Sequence, residues 1–188
     1  MAAGPQVEFD TTMGKIKLEL FPQAAPKTVD NFLEYVKSGF YDGTQFHRVI
    51  DKFMIQGGGL DEKLQQKPTR APVVNEGAEN QKAGVKNTIG TIAMARTGDP
   101  HSATAQFFIN VADNTPLNYT ASTPQGFGYT VFGKVIEGMD VVNKITKVET
   151  ERQGGHADVP KTPIIIRKAS VVEASGETGR KSAPEKKE

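Results

Sequence analysis

The segment FHRVIDKFMIQGGG, residues Phe46 to Gly59, places one arginine among large apolar side chains and ends with a glutamine and three glycines. An arginine in apolar surroundings is costly unless acceptors are found for its five N–H donors. Two explanations are open. Arg48 either pairs with a nearby carboxylate or lifts its charged head into water while its stem packs. Alternatively, it lines a pocket and waits for an acceptor on a substrate.

The same segment predicts two short strands, FHRVI and FMIQ, that meet at Asp51–Lys52. Successive side chains of a strand point to opposite faces. The predicted faces are Phe46, Arg48 and Ile50 on one side, and His47 and Val49 on the other.

A further strand is predicted within SATAQFFIN, Ser102 to Asn110. Alternation puts Gln106 and Phe108 on one face and Phe107 and Ile109 on the other. One face of this strand then carries an amide beside an aromatic ring. The face that carries Arg48 would have a similar combination if a second strand lies alongside it. Taken alone, Phe108 fits a protein core better than a binding surface.

The rest of the chain favours a β-rich fold, because 19 glycines and 11 prolines separate many short apolar segments. QVEFDTTMGKIKLELF predicts a hairpin with a turn at Thr11–Gly14. Helices are predicted in APKTVDNFLEYVKSGF, with Pro26 in the first turn and Gly39 near the end, and in EGMDVVNKIT. Further strands are predicted in TIGTIAMA, GYTVFGKVI and TPIIIRKASVVE.

Composition narrows the function classes. The 188 residues fit one domain, and a formal net charge of +1 does not select nucleic acid or an anionic membrane as a partner. The chain has no cysteine, which excludes disulfides and thiolate chemistry. MAAGPQVEFD does not resemble a secretory signal, and no run approaches the length of a membrane span. We therefore expect a cytoplasmic protein.

Several other chemistries lack support in the sequence. Gly57–Gly59 lacks the spacing of a phosphate-binding loop. The three histidines, His47, His101 and His156, show no paired metal-ligand spacing, so neither a metal site nor a cofactor is expected. Solvated surface positions are predicted for the acidic residues Glu34, Glu76, Glu79 and Asp99.

Three segments in this order, FHRVIDKFMIQGGG, MARTGDPHSATAQFFIN and GYTVFGKVIEGMDVV, resemble the cyclophilin family of peptidyl-prolyl cis-trans isomerases. The tetrapeptide MART and the loop NTPLNYTASTPQGFGY are most similar to the bacterial cytoplasmic branch of this family. The resemblance implies a mainly β fold, a closed eight-stranded antiparallel barrel capped by two helices. It covers residues 6–173, between a short extension at 1–5 and a charged tail at 174–188 that we expect to be disordered.

The resemblance also implies roles for individual residues. Arg48 falls on the catalytic arginine, and the apolar pocket for the substrate proline falls on Phe53, Met54, Phe108 and Leu117. Positions that bind the substrate backbone or border the groove fall on Gln56, Ala95, Gln106 and Tyr129. Proline-containing peptides and unfolded or folding proteins are the implied substrates, and a monomer is expected.

Two positions depart from the family pattern. Pro116 stands where many relatives have an aromatic residue, which implies weak binding of cyclosporin. Arg96 replaces an asparagine that is common in eukaryotic members, and we expect it to alter charge preference beside the groove. The alternative function, which is not enzymatic, is that of a non-catalytic proline-peptide binding module or chaperone on the same fold. Binding of nucleic acid through RKSAPEKKE is a weaker third hypothesis, because the segment also carries glutamates.

Overall fold

The computed structural model describes residues 3–172, and the strands that form the main sheet lie between Gln6 and Val172. The predicted tail at 174–188 therefore lies outside the described residues. Ten strands are present: β1 (Gln6–Thr11), β2 (Gly14–Leu20), β3 (Arg48–Ile50), β4 (Met54–Gly57), β5 (Thr91–Met94), β6 (Phe107–Asn110), β7 (Val131–Glu137), β8 (Thr150–Gln153), β9 (His156–Pro160) and β10 (Ile166–Val172). Three α-helices accompany them: α1 (Pro26–Lys37), α2 (Gly77–Ala83) and α3 (Met139–Thr146).

Eight strands form one antiparallel sheet in the order β10-β1-β2-β7-β5-β6-β4-β3, and β8 pairs with β9 in a separate hairpin. The predicted first hairpin is confirmed, with Phe9 opposite Ile16 and a turn in which the Thr11 hydroxyl donates to the Gly14 carbonyl. Gly14 has a φ of 133° there, a conformation that glycine adopts without strain.

The two ends of the sheet approach each other without forming a continuous ladder. In the described part of the chain, β3 and β10 are not paired, so the predicted closed barrel is not confirmed. Backbone hydrogen bonds connect the segment before β3 to the start of β10 instead: Gly43 N–H donates to the Ile166 carbonyl, Ile166 N–H to the Thr44 carbonyl, and Phe46 N–H to the Ile164 carbonyl. The sheet is thus strongly curled around an interior.

The inner face of the curled sheet is filled by an interior cluster of aromatic residues. Its rings belong to Phe9, Phe32, Tyr41, Phe107 and Phe132, and all five are fully buried. Phe9 stacks on Phe107 with ring centroids 5.3 Å apart. Helix α1 contributes Phe32, as its predicted apolar spacing requires.

The outer face of the sheet carries a second apolar group, which we call the outer-face cluster. Its buried members are Phe21, Ala24, Met54, Ala93, Phe108 and Val131, and the half-buried Phe53, Leu117 and Tyr129 pack against them. Strands β4, β5 and β6 are therefore covered by apolar side chains on both faces in their central part.

Helix α2 was not predicted, so the expectation of two helices was wrong. Its sequence, GAENQKA, has no large apolar residue and hence no helical hydrophobic period. The buried Asn80 side chain anchors it by donating to the carbonyls of Ala24 and Val131 and accepting from Val131 N–H. The β8–β9 hairpin was missed for a similar reason, since most of its side chains are not buried.

Glu76 corrects another prediction. Its side chain is buried, with 3% of its surface exposed, rather than solvated. The carboxylate accepts hydrogen bonds from the backbone N–H and the hydroxyl of Thr28, at 2.7 and 2.8 Å. Thr28 lies in the first turn of α1, where backbone N–H groups have no partner within the helix. Glu76 therefore caps α1 from a distant part of the chain, and Ala25 at the cap position supplies no side-chain bond.

Within residues 3–172, the chain has no helix that is long and apolar enough to cross a membrane.

Candidate active site

The candidate site begins with a row of side chains across neighbouring strands. Arg48 on β3 is opposite Gln56 on β4, and Gln56 is opposite Phe108 on β6. Residues directly opposite each other in antiparallel strands project from the same face. The structure therefore places the arginine, the amide and the aromatic ring together on the outer face.

Most of the predicted alternation is confirmed. Phe107 and Ile109 belong to the core inside the sheet, whereas Phe108 belongs to the outer-face cluster. The prediction for Phe46 was wrong, because β3 begins only at Arg48. Phe46 precedes the strand and packs into the inner core together with Val49.

A cavity of about 150 Å³ opens beside this row. It is lined by Arg48, Phe53, Met54, Gln56, Ala95, Arg96, Phe108, Leu117 and Tyr129. The lining contains every predicted site residue except Gln106, which lines the neighbouring cavity. Pro116 is exposed on the 3-10 helix Thr115–Leu117 and is not part of the lining.

The floor of the cavity is apolar and almost fully covered by neighbouring side chains. Met54 and Phe108 expose only 2% and 4% of their surfaces, while Phe53 and Leu117 are half-buried at the rim. The Tyr129 ring meets Phe108 edge to face, with centroids 5.6 Å apart. Such a pocket suits a small apolar ring, because it offers contact without strong polar competitors.

Arg48 lies at the polar edge of the cavity and is exposed. Its guanidinium donates one long hydrogen bond, 3.4 Å, to the Gln56 side-chain oxygen. None of the ion pairs formed among residues 3–172 includes it. Asp51 is close in sequence but pairs with Lys147 at 2.9 Å. The hydrogen bond from Lys147 holds the pKa of Asp51 below its ordinary value. The carboxylate-pairing explanation for Arg48 is thus not supported by the described residues.

The two glutamines connect this cavity to a second one. Gln56 donates from its side-chain nitrogen to the Gln106 side-chain oxygen at 2.9 Å. The second cavity, about 240 Å³, is lined by Gln56, Gln66, Ala95, Arg96, Thr97, Ser102, Thr104 and Gln106. Gln56 borders both cavities, and its amide oxygen faces Arg48 while its nitrogen faces Gln106.

His47 lies on the other side of the strand from Arg48. Burial is the main cause that lowers its pKa to about 4, and the charges of His156 and Arg48 lower it further. The imidazole is therefore neutral near pH 7, and its Nδ1 has no hydrogen-bond partner among the described residues. His47 therefore adds no positive charge beside Arg48 near pH 7.

A buried group of asparagines supports the walls of the cavity from behind. Asn110 donates to the side-chain oxygens of Asn87 and Thr91, at 3.0 Å each. Asn87 in turn donates to the carbonyls of Leu117 and Tyr129. Another member, Asn114, donates to the carbonyl of Phe53. Three wall residues from distant segments are thereby fixed to one network, which restricts their relative motion.

Among residues 3–172, no group of three or more His, Asp or Glu side chains is placed to hold a metal ion.

Comparison with known proteins identifies the family. Residues 6–171 match the family described as cyclophilin type peptidyl-prolyl cis-trans isomerase/CLD. The chain is 58% identical over 166 residues to peptidyl-prolyl cis-trans isomerase cyp18 of Streptomyces antibioticus, covering 88% of this chain and 98% of that protein. The chain belongs to the cyclophilin-type peptidyl-prolyl cis-trans isomerases.

This cyclophilin has further relatives of the same kind. It is 55% identical over 167 residues to peptidyl-prolyl cis-trans isomerase B of Escherichia coli, covering 89% of this chain and 99% of the relative. Its fold is similar to a crystal structure of a Cryptosporidium parvum cyclophilin, with a TM-score of 0.70, 27% identity, and coverage of 90% and 98%. A second structure of that protein, obtained in the presence of the dipeptide Ala-Pro, gives a TM-score of 0.69 and 27% identity.

Some residues of the cyclophilin site were missed by sequence reasoning. Ser102 and Thr104 line the second cavity together with Gln106. Their spacing of two residues, within the segment that leads into β6, is a signal that could have indicated a shared face. Gln66 comes from a long loop and carries no such signal. Arg96 was predicted to alter charge preference beside the groove but was not named as a site residue, and it lines both cavities.

Proposed function

We propose that this cyclophilin accelerates rotation about X–Pro peptide bonds, with Arg48 as the group that stabilises the twisted transition state. The observation that carries the proposal is the guanidinium at the edge of a pocket with an apolar floor, with one long hydrogen bond and no ion pair within the described residues. Its donors are therefore available to a substrate.

The chemistry requires a donor that acts mainly in the transition state. Rotation about a peptide bond has a barrier of about 18–20 kcal/mol, because the nitrogen lone pair is delocalised into the carbonyl. When the bond twists, the nitrogen becomes pyramidal and its lone pair localises. A guanidinium directed at that nitrogen then donates a hydrogen bond that barely exists in the planar ground state. This difference lowers the barrier.

Arg48 alone does not supply the whole acceleration. A charged hydrogen bond contributes about 1.5–3 kcal/mol, which corresponds to roughly one to two decades in rate. An acceleration of about five decades requires near 7 kcal/mol. We assign the remainder to holding the proline ring against Phe53, Met54, Phe108 and Leu117 while the preceding residue rotates, with water excluded.

The polar residues are assigned to the substrate backbone. Gln56 contacts Arg48 and Gln106, so it orients the guanidinium and presents an amide to the peptide. Ala95 follows β5, and its N–H donates to the Gln106 carbonyl at 3.0 Å. We assign to the Ala95 carbonyl a strand-like hydrogen bond with the peptide, and to Tyr129 a contact at the rim.

The proposed substrates are proline-containing segments of unfolded or folding proteins, and the proposed setting is a cytoplasmic monomer. Slow X–Pro isomerisation limits folding steps over tens to hundreds of seconds, which gives such an enzyme a role in protein folding. The structure of the Cryptosporidium relative obtained with Ala-Pro supports a proline-peptide ligand.

The test is isomerisation of a proline tetrapeptide by the purified chain, compared with Arg48→Ala and Arg48→Lys. We expect Arg48→Ala to lose about one to two decades of rate while peptide binding is largely retained. Lysine should restore little, because it lacks the planar fork of donors.

Arg167→Ala is the matched control, since Arg167 is exposed on β10 and lines neither cavity. A wild-type rate equal to the uncatalysed one, with intact peptide binding, would instead support the binding-module alternative.

A further inference from the structure

We infer that Arg96 is a positioning residue that clamps the loop 118–128 and the Tyr129 ring against the substrate groove. The inference rests on the proposed function, because it concerns the shape of that same site. It replaces the expectation that Arg96 acts as a charge facing the substrate.

The hydrogen bonds of Arg96 are directed into the protein. Its Nε donates to the Gly128 carbonyl at 2.8 Å, and one terminal nitrogen donates to the Pro124 carbonyl at 3.1 Å. The other terminal nitrogen donates to the carbonyls of Thr97, at 2.9 Å, and Gly98, at 3.4 Å. A guanidinium has five N–H donors. Four of them are thus engaged by backbone carbonyls, which leaves little donor capacity for a substrate.

The guanidinium also stacks on a wall of the groove. Its central carbon lies 4.7 Å from the centroid of the Tyr129 ring. That ring meets Phe108 edge to face, and Tyr129 N–H donates to the Leu117 carbonyl at 2.9 Å. Arg96 therefore contacts one wall of the proline pocket directly and reaches two more through it. A cation above an aromatic face is attracted by the ring quadrupole and favours one ring orientation.

The first arm of the loop is anchored at Asn118, whose side-chain oxygen accepts from the Asn87 N–H at 2.7 Å, whereas most hydrogen bonds further along the loop are local. Thr120 N–H donates to the Gly126 carbonyl, and Phe127 N–H donates to the Thr123 carbonyl. These bonds shape the loop without attaching it to the sheet. Arg96, which follows β5, reaches the returning arm of the loop at two carbonyls.

A second anchor makes the inference testable without unfolding the loop. The Asn75 side chain also donates to the Gly128 carbonyl, at 3.0 Å. Loss of Arg96 therefore leaves Gly128 tethered but removes the hydrogen bond to Pro124 and the stacking contact on the Tyr129 ring. The expected defect is a looser groove wall in a folded protein.

The experiment measures kcat and KM for Arg96→Ala and Arg96→Lys on three peptides with Glu, Ala or Lys before the proline. We expect Arg96→Ala to raise KM about 3- to 10-fold by the same factor for all three peptides, with kcat changed less than about twofold. Lysine should resemble alanine, because it cannot form the planar set of bonds. A loss that depends on peptide charge and is rescued by lysine, or an unchanged KM, would overturn the inference.

A double-substitution cycle tests the link to Tyr129. In a Tyr129→Leu background, Arg96→Ala should raise KM by a clearly smaller factor than in the wild type, since the stacked partner is absent. Equal factors in both backgrounds would contradict the proposed clamp. Arg167→Ala again serves as the control for loss of a surface arginine.

Hydrogen exchange separates this inference from the proposed function. The Tyr129 amide, bonded to the Leu117 carbonyl, should exchange about 3- to 10-fold faster in Arg96→Ala than in the wild type, whether or not the protein is active. An inactive wild type would refute the proposed function alone. Unchanged Tyr129 exchange would refute the clamp alone.

Discussion

Pro116 gives the rim of the proline pocket its most unusual feature. It lies on the exposed 3-10 helix Thr115–Leu117, next to Leu117, which lines the cavity. The proline ring is smaller than an aromatic ring and has no N–H donor. Compared with the aromatic side chain that the family resemblance implies for this position, Pro116 therefore offers less apolar contact to a large cyclic ligand.

Pro116→Trp should strengthen binding of cyclosporin by about tenfold or more, because a tryptophan supplies a large apolar surface and an indole donor. Inhibition of tetrapeptide isomerisation by cyclosporin measures the change. Thr115→Trp is the control, since it adds the same ring one residue earlier on the same exposed turn. Equal inhibition of wild type and Pro116→Trp would show that the rim does not limit drug binding.

At the scale of single residues, the sequence predicted which side chains lie around the cavity better than it predicted the residues that support them. Alternation alone placed Gln106 and Phe108 on one face, and the family resemblance supplied the other members. The contacts of Arg96 were not predictable, because its acceptors Pro124 and Gly128 are about 30 residues away in an irregular loop. An irregular loop has no regular spacing of apolar residues from which its path can be inferred.

At the scale of elements, helix α1 depends on a carboxylate from outside the helix. Glu76 accepts from Thr28 in the first turn, and the positive end of the helix dipole favours a negative charge there. The same residue precedes α2, so one side chain ties together the starts of two helices.

Glu76→Gln should lower the free energy of unfolding by about 1–2 kcal/mol, because the amide keeps an acceptor but loses the charge. Urea unfolding followed by circular dichroism measures the difference. Glu79→Gln, an exposed change three residues later, should cost only a few tenths of a kcal/mol. Equal losses for the two variants would show that the buried contact with Thr28 contributes no more to the free energy of unfolding than an exposed carboxylate does.

Helices and strands were predictable where apolar residues recur in the sequence at the spacing of a helix or a strand. Helices α1 and α3 and the strands of the main sheet follow apolar spacing and were predicted. Helix α2 lacks that spacing, since it is held by the amide of Asn80 rather than by an apolar face. Glu76 was misjudged for a related reason: its partner Thr28 lies 48 positions away, and only the folded chain brings them together.

At the scale of the whole molecule, burial of His47 couples stability to pH. The folded protein lowers its pKa from 6.5 to about 4, mainly through burial. Between these values the unfolded chain binds the proton more readily than the folded chain. Stability is therefore fully present above about pH 6.5 and falls as the pH drops toward 4.

The loss assigned to His47 amounts to at most about 3 kcal/mol over that interval. His47→Gln should flatten the dependence of the urea midpoint on pH between 7 and 4.5, relative to the wild type. His101→Gln is the control for loss of an exposed imidazole, whose Nδ1 accepts the Asn75 N–H at 3.1 Å, and it should flatten the slope less than His47→Gln does. A His47→Gln variant with an undiminished slope would assign the acid sensitivity to other groups.

The outer-face cluster has a consequence for turnover. Met54 and Phe108 expose only 2% and 4% of their surfaces before a peptide arrives, so little hydrated apolar area remains to be covered. Peptide association should then show a small heat-capacity change and modest affinity. Weak ground-state binding suits a catalyst whose substrate and product differ only by a rotation, because both isomers must leave quickly for the next cycle to begin.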